Sequence, residues 1–238
     1  MVEIKISTDV RLAHLDTVIH PQPAKNFIPQ WFKDMPVKVP EENYDFDLMP
    51  HDRTLKACPS FHDIWSTGIV FVASTDIHLG VIWNEFTEKW DASWHTPSRD
   101  YGLDIHASTQ FTDHEKDSGV KYIFKFVSPF RMYGPKGYSV YQVPMLYHFR
   151  QMKDWYVPYG VIAIDTHHEI NQQIMYISDK KELLIKKGTP LATYVPFKRE
   201  EFDFKYEEWN QDLADKALLS KGNIFTHFKN GYMKTRNK

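Results

Sequence analysis

The chain has 238 residues with 29 basic and 31 acidic side chains, a formal charge of −2, which builds in no global attraction to nucleic acid or to an anionic membrane. A hydrophobic fraction of 42% suits a folded chain rather than a disordered one, and the single cysteine, Cys58, excludes an internal disulfide. An aromatic fraction of 15%, with 14 prolines against 10 glycines, favours short strands and structured loops over long helices.

In chain order, Val2, Ile4 and Ile6 alternate with Glu3 and Lys5, which predicts a half-buried strand and not a signal peptide over 1–9. The rigid connector His20-Pro21-Gln22-Pro23 leads to a short predicted helix over 29–34, with Pro29 at its start and Phe27, Trp31 and Phe32 on its apolar side. Pro36 and Pro40 end it, and 41–50 reads as an acidic loop. A second helix is predicted from Pro59, with Phe61, Ile64 and Trp65 inward and Gly68 as its stop.

From Ile69 to Phe197 the chain is strand-rich. Strands are predicted over 69–73, 77–83, 89–95, 121–127, 138–143, 161–164, 172–177 and 183–185, with a hairpin connection at Asn84-Glu85-Phe86-Thr87. The run from Lys187 to Arg199 is the clearest of all. Gly188 supplies a positive φ for a tight turn, and Pro190 can only open the strand or lie on an edge. Leu191, Thr193 and Val195 are expected on one face, and Ala192 and Tyr194 on the other. After Tyr206 the period becomes helical to about Ser220, with Trp209, Leu213 and Ala217 on one stripe. Beyond Asp215 there is no acidic residue, while Lys216, Lys221, Lys229, Lys234, Arg236 and Lys238 follow.

The expected fold is therefore mainly β, a sandwich or distorted barrel with short N-terminal helices and a C-terminal helix. Residues 1–200 form a single β-rich domain with an N-terminal arm, and 201–238 a C-terminal helix and basic tail. No apolar run approaches the ~20 residues of a membrane span, so the chain is expected to be soluble and intracellular when made, without a membrane partner.

Four blocks in order carry a resemblance. They are Phe27-Ile28-Pro29-Gln30-Trp31-Phe32-Lys33-Asp34-Met35-Pro36, then 54–68 from Thr54 to Gly68. Ser128-Pro129-Phe130 with Gly137-Tyr138-Ser139, and the 188–199 strand, complete the set. Together they resemble an uncharacterised protein family of tailed phages, especially marine and cyanobacterial ones, and of some bacteria. The resemblance spans roughly residues 20–200, with Phe130 standing where the family pattern has tryptophan. It implies an origin, and with it the host cytoplasm or a virion as location and a phage or host protein as partner, but no activity and no site. The 188–196 strand also resembles the last core strand of dUTPase-type barrels. None of that family's nucleotide-binding motifs is matched, so nothing is carried over from it.

Several constellations bear on chemistry. Asp76-Ile77-His78 and Asp104-Ile105-His106 each present a carboxylate and an imidazole on one face of a strand, a pattern that two neighbouring strands can turn into a divalent-metal site. The competing reading is Asp and His facing solvent while Ile faces inward, and it is favoured here. In Asp165-Thr166-His167-His168-Glu169 the adjacent histidines point to opposite faces, so a polar loop closed by Asp165 is expected. Cys58, before a helix N-terminus, has the position of an activated thiol but apolar neighbours, and a structural role is favoured. Lys56, His62, Asp63 and Arg199 are the candidate ligand-binding residues. Trp83, Trp90 and Trp94 suit either sugar stacking or an aromatic core, with core favoured.

Gly-x-Gly-x-x-Gly, P-loop and Cys-x-x-Cys patterns are missing, and no motif implies a cofactor. The favoured function is a non-enzymatic phage accessory or assembly protein. The alternative is a small-molecule-binding or metal-dependent enzyme built in a β-barrel mouth, using Lys56, Asp63, Arg199 and the Asp-Ile-His pairs. Nucleic-acid association rests only on the basic tail and is not favoured.

Overall fold

The structure, a computed structural model, describes residues 2–8, 18–43, 52–96, 103–106 and 119–226, with 219–226 described by backbone alone. Strand predominates over helix, and the mainly β expectation holds. The strands are β1 (Lys5–Thr8), β2 (Gln22–Pro23), β3 (Ile69–Val72), β4 (Ile77–Asn84), β5 (Lys89–His95), β6 (Leu103–His106) and β7 (Tyr122–Tyr133). They continue as β8 (Tyr138–Pro144), β9 (Trp155–Tyr156), β10 (Gly160–Ile162), β11 (Glu169–Tyr176), β12 (Glu182–Ile185) and β13 (Pro190–Lys198). The helices are α1 (Gln30–Asp34), α2 (Pro59–Ser66) and α3 (Gln211–Thr226). None of them is long and apolar enough to cross a membrane.

Two antiparallel sheets face each other. One runs β1-β7-β11-β9, with β6 also on β7, and the other β10-β8-β13-β3-β2. A three-stranded sheet, β12-β4-β5, adds its inner face to the same core. Strand alternation explains why. Phe124, Phe126, Phe130 and Met132 of β7 point inward at two-residue spacing, against Ile170 and Ile174 of β11. Phe71, Val140, Leu191, Ala192 and Tyr194 meet them from the second sheet, and Ile77, Leu79, Val81 and Ile185 from the third.

Two irregularities have legible causes. In β7, Pro129 has no N–H to donate, and the ladder to β11 is broken there: Glu169 pairs with Arg131 while Asn171 pairs with Val127. Ser128 Oγ accepts from the Phe130 N–H within the irregular stretch. In β13, the register to β3 shifts between Pro190 and Ala192. Leu191 and Ala192 are consequently both buried, so the expectation that Leu191 lies opposite Ala192 gives way at the bulge, and the two-fold alternation starts only at Ala192.

Gly188 has φ +85°, as its turn demands, and Gly68, just past α2, has φ +90°. A Cβ on Gly68 would stand 2.6 Å from the Tyr194 carbonyl oxygen, so only glycine lets the arm join β3 so close to β13. In the hairpin between β4 and β5, the Asn84 side-chain oxygen accepts from the N–H groups of Phe86 and Thr87. The helical arm lies on the outer face of the second sheet, where Ala24 and Met145 cover Val70 and Val72. Within α2, Trp65 is buried but Ile64 is exposed, contrary to the inward position expected for it. α3 begins at Gln211 and leaves Trp209 in the exposed segment before it. Most of the basic tail, 227–238, lies outside the described residues, as does 44–50 of the acidic loop.

Candidate functional site

Among the described residues, a groove of about 850 Å³ lies at the end of the sandwich where β3 and β8 finish and β13 begins. One bank is Phe27–Trp31, the entry to α1; the other is the turn Tyr147–Gln151 that follows β8, and Pro190 lies between them. The banks are tied by backbone carbonyls. Trp31 Nε1 donates to the Tyr147 oxygen at 2.9 Å, and Gln151 Nε2 donates to the Pro190 oxygen at 3.0 Å. His148 Nε2 lies 3.0 Å from the Phe27 oxygen, which assigns the proton to Nε2 and leaves Nδ1 as an acceptor. Burial pushes the His148 imidazole below its ordinary value, against the opposing effect of that bond, and so favours the neutral ring.

Two features of the second bank cost stability. Tyr147 has φ +65°, a left-handed conformation that costs a residue with a Cβ about 1–2 kcal/mol. Phe149, next along, is 56% exposed. The conformation of Tyr147 is held by rings on every side: Phe61 at 4.8 Å, Trp65 at 5.8 Å, Trp31 at 6.4 Å and Phe149 at 6.1 Å between centroids. Behind them Phe32 packs on Trp65 at 4.0 Å and stacks on Phe61 at 6.0 Å. Trp31 and Phe149 stand 5.5 Å apart with planes 32° from parallel, and Arg150 sits beside them in the groove lining.

The residues singled out from the sequence are placed elsewhere. Lys56 Nζ donates to the Lys33 carbonyl oxygen at 2.6 Å, tying α1 to the turn that precedes α2. The His62 ring lies 2.7 Å from the Lys56 carbonyl oxygen, and the Asp63 carbonyl oxygen accepts from the hydroxyls of Ser66 and Thr67. Cys58 is half-buried at the N-cap of α2, with Pro59 in the first helical position. Arg199 lies five residues beyond Tyr194, the register partner of Ile69, which is roughly 16 Å along the strand. There it pairs with Asp165 and donates to Ser139 Oγ at 2.7 Å and to the Tyr138 carbonyl oxygen at 3.1 Å. Asp165 also accepts from the Gly137 N–H, and with Arg199 this holds its carboxyl down at about 2. Lys56 and His62 are thus brought together in the arm, and Arg199 is not among them.

The two Asp-Ile-His pairs lie in different sheets, β4 in the three-stranded one and β6 on β7. Asp76 accepts from the Lys187 N–H and closes the turn before β13, while Asp104 accepts from its own neighbour, Ile105. His106 reaches Gln173 of β11, and His78 lies opposite His95 of β5. The four are therefore not drawn to one point, and no cluster of three or more potential metal ligands occurs among the described residues. Trp83 and Trp90 form a cross-strand pair at 5.2 Å, with Lys121 over Trp90, and Trp94 packs edge-on against buried Phe124.

Fold and site together define a mainly β protein with an aromatic groove at one end of its sandwich. No family model and no curated protein matches the chain. Among solved structures it is similar to the dUTPase from phage phi11 of S. aureus in mutant form, at 9% identity and a TM-score of 0.38 over 88% of this chain and 99% of that one. It is also similar to the Staphylococcus bacteriophage 80alpha dUTPase, at 8% identity and a TM-score of 0.39 over 87% and 98%. Native EIAV dUTPase covers less, at 10% identity and a TM-score of 0.30 over 59% of this chain and 98% of that one. These neighbours are enzymes, and the expectation of a non-enzymatic accessory or assembly protein finds no support among them. That expectation leaned on missing sequence motifs, which cannot register a groove assembled from 27–31, 147–151 and 190. At such identities and TM-scores the likeness assigns this chain neither an activity nor a site.

Proposed function

We propose that the protein binds a planar aromatic small molecule in the groove between Phe27–Trp31 and Tyr147–Gln151. The observation that carries this reading is the pair Trp31 and Phe149, rings 5.5 Å apart at the wall of a groove of about 850 Å³, with Phe149 left half exposed. Small-molecule sites are concave, mostly apolar and of about 300–1,000 Å³, with a few polar groups that fix orientation. Here those groups are His148 Nδ1, an acceptor, and the Arg150 guanidinium, a fixed cation. They suit a flat ring that carries an N–H or O–H donor and an anionic substituent. The left-handed Tyr147 turn is a local cost retained where the groove forms, which is where strain tends to be kept when a site needs a particular shape.

This is the small-molecule form of the reading that placed an enzyme in a barrel mouth. Its metal-dependent form loses its proposed ligands, since Asp76, His78, Asp104 and His106 are divided between two sheets. The test is ligand-observed NMR with a panel of planar heteroaromatic acids, matched by neutral and cationic analogues. Binding of the acids is expected, about tenfold weaker in Phe149→Ala, in line with roughly 0.5–1.5 kcal/mol for an aromatic contact, and weaker again in Arg150→Ala. Binding unchanged in Phe149→Ala, or no binding by any member of the panel, overturns the reading.

A further inference from the structure

On the outer face of the three-stranded sheet, His78 and His95 are direct cross-strand partners, and both are exposed. Residues paired in this way have Cβ atoms about 4.5–5.5 Å apart, so their side chains project side by side. The two ring centroids are 6.0 Å apart. Two imidazoles bound to one ion through bonds of 2.0–2.1 Å bring their centroids to roughly 5–6 Å, so a small rotation of either ring completes the approach.

The surroundings leave room for an ion. Two residues along β4, Gly80 faces Ser93, and Glu182 of β12 is the register partner of Gly80 on the other side. His78, Gly80, Ser93, His95 and Glu182 line a depression of about 240 Å³ in which the glycine contributes no side chain. Period-two alternation puts Glu182, His78 and His95 on the same outward face, opposite buried Ile77, Leu79 and Val81. Leu184 is the direct partner of His78 on β12, and Glu182, diagonal to His78, adds a negative charge to the same depression, the sign that attracts a cation.

We propose that His78 and His95 form a binding site for a borderline divalent cation of the zinc, nickel or copper class, with water in the remaining positions and Glu182 as the neighbouring charge. Imidazole nitrogens select these metals over calcium or magnesium, which prefer oxygen donors. The ion would staple β4 to β5 at the start of β4, away from the hairpin at 84–87. This site is independent of the groove, which shares none of its residues.

The experiment uses the full untagged chain and reads zinc uptake by competition with a chromogenic chelator, alongside Cu2+ electron paramagnetic resonance. One equivalent is expected, at least tenfold weaker in His78→Ala and in His95→Ala, and unchanged in His106→Ala. The copper spectrum is expected to show two coupled nitrogens in the native chain and one in each single variant. Because metal held by the folded state alone raises stability, added zinc should raise the Tm of the native chain and not that of the double variant. Both histidines are exposed, so the variants keep the core, and an unaltered Tm without metal verifies this. No uptake by the native chain, or uptake unaffected by both single substitutions, overturns the proposal.

Discussion

The interior of the sandwich and the groove at its end use the same residue types to opposite effect. Phe124, Phe71 and Tyr194 are sealed between sheets, and even the Tyr194 hydroxyl is accounted for, donating to Gln142 Oε1 at 2.8 Å while Gln142 donates to the Pro158 oxygen. In the groove, Trp31, Tyr147 and Phe149 gather just as closely, but around a left-handed turn and open space. Burial is complete where two pleated surfaces meet and incomplete where a strand end meets a helical arm. The aromatic content of the chain is thus divided between stability and a surface that a ligand can complete.

The difference is broken most severely from the inside. Phe124→Ala removes a fully buried ring in contact range of Trp94, Tyr122 and Tyr176, and should cost about 3–5 kcal/mol in denaturant unfolding. Next come the two turn glycines. Gly68→Ala should cost more than Gly188→Ala, because both have positive φ but only Gly68 would also drive a Cβ against a backbone carbonyl. The conformational part is about 1–2 kcal/mol at either position. Equal midpoints for the two variants would show that the arm gives way at Gly68.

A third effect depends on pH. The Asp165 carboxyl is held at about 2 in the folded chain, below its ordinary value near 3.9, so the unfolded chain binds the proton first. Its contribution is complete above about pH 4 and is lost as pH falls toward 2, and Arg199→Ala should remove much of that acid-labile component. His148 acts at milder pH: its folded value lies below the ordinary 6.5, so stability should begin to fall as pH drops below about 6.5. Titration of the His148 ring by NMR gives the folded value directly. The smallest change in stability belongs to Phe149→Ala, a half-exposed ring whose loss should leave the unfolding midpoint nearly unaltered while weakening ligand binding. A large drop in midpoint would make Phe149 part of the interior after all.

Much of the scaffold was legible in the chain because its signals are local. Alternation marked β3, β4, β5, β8 and β13 within a residue or two at most ends, and Pro59 with Gly68 bracketed α2. Where the chain departed from these readings, a partner decided. Ile64 follows the helical pattern of an inward residue, yet α2 turns Trp65 toward Phe32 and Tyr147 and leaves Ile64 at the surface. The 206–210 stretch has helical spacing but joins no helix, its Tyr206 and Trp209 exposed, and α3 starts only after Asn210 caps it through its side-chain oxygen.

The candidate sites divide along the same line. The repeated Asp-Ile-His drew attention because it is a pattern within one short segment, but the segments enter different sheets. His95 carries no motif and was missed, although the antiparallel pairing of β4 with β5 through a hairpin at 84–87 was open to derivation, and that pairing sets it against His78. Tyr147–Gln151 offered no signal of any kind, since a non-glycine left-handed turn is chosen by the rings packed around it and not by its own preferences.

By itself, then, the sequence determined the class of fold, most strand positions and the two glycine turns, because alternation, positive φ and proline's missing N–H act over a few residues. Tertiary structure alone decided which strands became neighbours, that Arg199 would clamp Asp165, and that 27–31 would meet 147–151 across an open groove. Those outcomes depend on contacts between residues distant along the chain, 34 apart for Asp165 and Arg199 and 116 apart for Trp31 and Tyr147, where the deciding energy is shared by elements that no single segment contains.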